Sequence, residues 1–166
     1  MINSIDILKK ELGNLKSKPA VIAGYWTEIT NDIALKGRDK LFDGKMYPLV
    51  IISADFKENY GQDLISDCVV TNVKIYVITE GKLSVSLVDR LETTYKNTLY
   101  PTTAEIVDLF NNSYCVQGYE KGRNNEVTYE LTRFPYLNKG NKEQNMLNSI
   151  VDAVEINFKS LRLKTI

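Results

Sequence analysis

The sequence predicts an α+β fold: an antiparallel or mixed β-sheet of about six strands, with an N-terminal helix and a pair of central helices packed on one face. Three observations predict it. Apolar residues recur at helical spacing in three regions and alternate or run continuously in six others. The resulting order, α, β, β, β, α, α, β, β, β, lacks the strand-helix alternation of a doubly wound fold. Finally, 166 residues with no internal repeat or linker describe a single domain, 1–166, with 43% apolar and 25% charged residues. Such a chain removes roughly 70% of its unfolded surface from water on folding, so no metal or disulfide is needed to hold it.

Ile5, Leu8, Leu12 and Leu15 share one stripe of a helix over about 4–16, with Asn3 as its cap, Asp6 in its first turn and Pro19 closing it. Residues 20–29 are rich in β-branched and aromatic types and form a strand, where Gly24 marks a bulge or a close backbone approach. Residues 30–46 hold no sustained period and form a long exposed loop, with a hairpin turning at Asp43-Gly44 as the alternative. The apolar run 47–55 is a central strand. A polar connection, 57–66, leads to an alternating strand over 67–79, with Val69, Val73, Ile75 and Val77 on one face and Asn72, Lys74 and Tyr76 on the other.

Leu87, Val88, Leu91 and Tyr95 then give the inward stripe of a helix over about 85–98, capped by Ser84 or Ser86. Tyr100-Pro101 breaks it, and Thr102-x-x-Glu105 is a capping-box pattern opening a second helix over 103–112. Strands follow over 114–117 and 126–134, joined by a turn containing Gly118, Gly122 and Asn124-Asn125. A loop over 137–142 and a short helical turn around 144–150 precede the last strand. There Val154, Ile156 and Phe158 alternate on one parity and Leu161 and Leu163 on the other, which requires a bulge or kink near Lys159-Ser160.

Twenty-one basic residues balance twenty-one acidic ones, so no global positive field draws the chain to nucleic acid or an anionic membrane. Asp6 interrupts what a secretory signal would need to keep apolar, and no run approaches the roughly 20 apolar residues of a membrane span. The expectation is a protein made in the cytoplasm. Cys68 and Cys115 stand alone in apolar stretches, without zinc-ligand spacing, and read as buried free thiols.

No histidine is present, which removes the commonest neutral-pH proton carrier and the usual partner of Ser and Cys nucleophiles. Asp152 and Glu155 fall on opposite strand faces and read as solvated. Glu126 and Glu130, sharing a face with Thr128 and Thr132, read as a polar outer face rather than the spaced acids of a hydrolase. No phosphate-binding glycine motif occurs. No cofactor, metal or catalytic residue is assigned, and the chain is not expected to be an enzyme.

Ten tyrosines and one tryptophan remain. Tyr25, Trp26, Tyr119 and Tyr136 lie at strand ends or turns, where aromatic anchors of protein partners concentrate, although core packing with the polar atom reaching the edge is the favoured reading for each. Lys36, Arg38, Asp39, Lys40, Asp43 and Lys45 in the long loop mix both signs of charge, the pattern of a polar interface rim or of a solvated loop.

From Leu99 onward the chain resembles the tail-completion, tail-terminator and head-to-tail connector proteins of tailed bacteriophages. The likeness rests on Leu99-Tyr-Pro101, Arg133-Phe-Pro-Tyr136 and the stretch from Asn148 to Ile156 leading into Leu161-Arg-Leu163. Tyr47-Pro48 opening an apolar strand agrees in layout. The resemblance implies a structural virion protein at the neck or tail end, a homo-oligomeric ring that docks on portal-side adaptor or tail-tube proteins. It implies no functional residue. Two other readings are a carboxylate- or metal-dependent enzyme of a mobile element, detectable as a stoichiometric magnesium or manganese site, and a soluble adaptor that does not copurify with particles.

Overall fold

A computed structural model describes residues 3–25, 27–29, 47–61, 67–80, 84–118, 127–133 and 151–165. It has the expected α+β class, with a mixed sheet and its longer helices on one face. The described strands are β1 (Ala20–Gly24), β2 (Leu49–Ser53), β3 (Lys57–Tyr60), β4 (Asp67–Glu80), β5 (Val116–Gly118), β6 (Val127–Arg133) and β7 (Val151–Lys164). The stretch 57–66, expected as a plain connection, therefore includes a strand. The loop over 30–46, the loop over 137–142 and the turn around 144–150 lie outside the described residues.

Two 14-residue strands, β4 and β7, run antiparallel through the centre from Asp67↔Lys164 to Glu80↔Val151. Each is flanked by two shorter strands placed end to end. β2 and β3 pair with opposite halves of β4, while β6 and β5 pair with opposite halves of β7. β1 joins β2 in parallel, the one parallel pair among the described strands. β2 is buried along its whole length, as a strand covered on both faces should be.

The phase change expected on the last strand is present, and β4 shares it. Thr71 pairs with Ser160 and Val73 with Phe158, so the register is unchanged across Asn72 and Lys159, which form no ladder pair. Asn72 has φ 61°, a left-handed conformation that asparagine tolerates better than most residues. Both strands therefore kink at one level, and no extra residue enters either. Beyond the kink the inward positions switch parity, from Cys68 and Val70 to Val73, Ile75 and Val77, opposite Leu163, Leu161, Phe158, Ile156 and Val154. Val69 consequently does not share a face with Val73, contrary to simple alternation.

Helix α1 (Ser4–Leu12) is capped by Asn3, whose Oδ1 accepts from Asp6 N at 3.2 Å. It ends four residues earlier than periodicity implies, yet Leu15 beyond it still reaches the core. The central helices are continuous. α2 (Leu87–Arg90), capped by Ser86 rather than Ser84, passes into a π-helical segment (Leu91–Leu99) and then α3 (Tyr100–Asn112). Pro101 falls at the start of α3, where its missing N–H breaks nothing, because the wide turn before it is closed by Tyr100 N–H donating to Tyr95 O. No capping box forms there. Thr102 Oγ1 donates to Thr98 O at 2.9 Å, and Glu105 accepts from Ser17 Oγ at 2.6 Å, tying α3 to the chain that follows α1.

The main core lies between these helices and the sheet, with Leu8, Leu12, Tyr95, Leu99, Ile106 and Phe110 packed on the inward strand positions. The Phe110 and Phe158 rings meet at 5.2 Å. A second, smaller cluster occupies the other face and joins Ile29 to Leu49, Ile51, Tyr76, Ile78 and Ala153. Tyr76, expected on an amphipathic outer side, is buried there. Residues 20–29 are not one strand: β1 ends at Gly24, and residues 27–29 are helical, with Ile29 N donating to Tyr25 O. Gly24 is approached closely by side chains and not by backbone: a Cβ there would stand 3.0 Å from Glu28 Oε2.

Candidate functional site

Of the eight candidate interface residues, the structure places one. Tyr25 follows β1 with its side chain 55% exposed, and its backbone N–H donates to Glu28 Oε2 at 3.0 Å. Trp26, Lys36, Arg38, Asp39, Lys40, Tyr119 and Tyr136 lie outside the described residues. The helix stripe expected to face the core does not do so as a unit. Tyr95 is buried, but Leu87 is 51% and Val88 69% exposed.

The cause is an ion pair. Arg90 occupies the inward position, and its Nη1 donates to Asp152 Oδ1 at 3.1 Å, with both side chains buried. The next fully inward residue is Tyr95, five positions on, the step that a π-helical turn makes. Asp152, expected in solvent, shares strand parity with Val154, Ile156 and Phe158 and so faces the core. Burial pushes its carboxyl above the usual carboxylate range, and the Arg90 guanidinium pulls it back. Burial, reinforced by the Asp152 charge, raises the Tyr95 phenol to about 12.

Paired and enclosed, Arg90 and Asp152 fix the start of the helical run on the first residues of β7. Their consequence at the surface is the adjacent apolar pair Leu87 and Val88, held outward on α2 with Asp89 and Glu92 beside them. Asp89 Oδ2 accepts from Ser86 Oγ at 2.7 Å, and Glu92 pairs with Lys96 across one helical step at 3.1 Å. An exposed Val beside a half-exposed Leu, rimmed by acids, offers apolar surface that a partner could cover. The signal that could have located it is parity: with Asp152 inside, the helix must turn a basic residue toward it.

At the opposite end of the sheet, Tyr114 is 67% exposed, and the Lys164 ammonium stands 5.7 Å from its ring centroid. Lys164 N donates to Cys115 O at 2.9 Å, and Ser113 Oγ, which accepts from Cys115 N, donates to Glu11 Oε2 at 2.7 Å. These contacts bring the end of α1, the start of β5 and the end of β7 together. Cys68 and Cys115 are free and buried as expected, and burial pushes both thiols upward, away from the reactive thiolate.

Among the described residues no three His, Cys, Asp or Glu side chains are grouped to hold a metal ion. Likewise, among the described residues no helix is long and apolar enough to cross a membrane. Compared with known proteins, the chain matches no family model and no curated protein.

Proposed function

We propose that the chain is a structural subunit acting by protein–protein assembly, a ring-forming piece of the neck or tail end of a tailed-phage particle. The observation that carries this reading is the outward Leu87–Val88 pair, kept at the surface by a buried ion pair that takes the inward helix position. Exposing two adjacent branched side chains while enclosing two charges gives the isolated chain no evident stability, and it supplies a partner with apolar area to cover. The pattern from Leu99 to Leu163, which resembles tail-completion and connector proteins, supports the phage setting. Copies of this chain and a portal-side adaptor or tail-tube protein are its partners in this reading.

The test is antibody labelling of purified particles, viewed by electron microscopy. Label at one fixed position between head and tail, or at the tail end, is the expected result. Label scattered over particles, or absent from them, overturns the reading.

A further inference from the structure

The two ends of the long strands carry complementary surfaces. Twelve residues separate Asp152, beneath α2, from Lys164, a span of roughly 40 Å at strand rise. At the Asp152 end stands the Leu87–Val88 knob with Asp89 and Glu92. At the Lys164 end, Ile7, Lys10, Glu11, Cys115, Lys164 and Thr165 line a cleft of about 190 Å³. Its walls include apolar Ile7 and the largely buried Cys115, and Lys10 and Lys164 supply the positive charge. Glu11, whose Oε2 accepts from the Ser113 hydroxyl, also lines the cleft, so two lysines stand there against one acid. A cavity of about 150 Å³ takes a benzene-sized group, so this cleft has room for a branched aliphatic side chain.

We infer that the chain docks on a second copy of itself head to tail, the Leu87–Val88 knob of one copy entering the lysine-rimmed cleft of the next. Charge complementarity selects the occupant. Asp89 and Glu92 outnumber Lys96 beside the knob, Lys10 and Lys164 outnumber Glu11 at the cleft, and carboxylates already holding one partner retain acceptor capacity for an ammonium. A contact between two different surfaces at opposite ends is heterologous, so it repeats from copy to copy and closes into a ring when the rotation permits. This inference rests on the assembly reading and assigns the two surfaces that meet between its copies.

The test mixes two variants, Leu87→Ser/Val88→Ser with an intact cleft and Lys10→Glu/Lys164→Glu with an intact knob, and follows mass by sedimentation velocity and native mass spectrometry. Wild-type chain forms species larger than a dimer as concentration rises. Each variant alone sediments as a monomer with its dissociation constant weakened at least about tenfold. Their mixture gives a one-to-one dimer and nothing larger, because each pair retains a single working contact. Melting temperatures are measured alongside, and if the cleft variant unfolds, Lys10→Glu alone replaces it. A wild-type chain that stays monomeric at every soluble concentration overturns the inference, as do variants that assemble like wild type or a mixture that fails to pair. The assembly reading is judged separately by the labelled particles, so either can fail without the other.

Discussion

Asp152 is enclosed, and its Oδ1 accepts from Arg90 Nη1 at 3.1 Å, so removing either partner strands the other's charge away from water. Asp152→Ala is expected to cost about 3–5 kcal/mol in urea unfolding, whereas Arg90→Met with Asp152→Leu should be neutral or stabilising by about 1–4 kcal/mol. Equal losses in the single and double variants would contradict this. Tyr95 gives a pH signature. Its phenol is raised from 10.0 to about 12, so the folded state holds the proton more tightly than the unfolded chain. That contribution is complete below the ordinary phenol value and is lost as pH rises toward about 12. The stability difference between wild type and Tyr95→Phe, measured across that interval, should change in wild type's disfavour as pH rises. Asp152 was legible in part: its parity with Val154 placed it inside, but charge alone argued for solvent. Only the facing Arg90, 62 residues away, decides between them.

At the scale of elements, the paired kink separates helical-face positions into two parities on both central strands. Asn72→Val forces a β-branched residue into a left-handed conformation and is expected to cost about 1–2 kcal/mol, while Asn72→Gly should stay within about 1 kcal/mol of wild type. Equal losses in thermal or urea unfolding would show that the side chain, not the backbone, matters there. Alternation in the last strand made this kink legible on β7. Its counterpart on β4 was hidden because Val69 has the same chemistry as Val70, so nothing in the residue types marked which faced inward. The helical run hid its own phase in a similar way. Leu87, Leu91 and Tyr95 fit an α-helical stripe, and Pro101 fits a break. The π-helical turn shifts the first and removes the clash expected of the second.

Taken whole, the molecule is a long two-strand axis with short strands added on either side and different chemistry at its two ends. The formal charge of zero concealed that difference, because balance in the total says nothing about where Asp89, Glu92, Lys10 and Lys164 fall. The α+β class and the absence of histidine were legible from types and spacing, whereas the exposed apolar pair depends on which residue the sheet turns toward the helix. Val88→Arg, at an exposed position, is expected to change monomer stability by no more than about 0.5 kcal/mol while preventing self-association. A large fall in melting temperature would instead place Val88 in the packing of the isolated chain.

The claim that this chain acts by assembly is tested most directly by counting joined particles, by electron microscopy, in a phage stock made without it. Separate heads and tails in place of joined particles, restored by supplying the wild-type chain, are the predicted result. Normal numbers of intact, infectious particles would contradict the account.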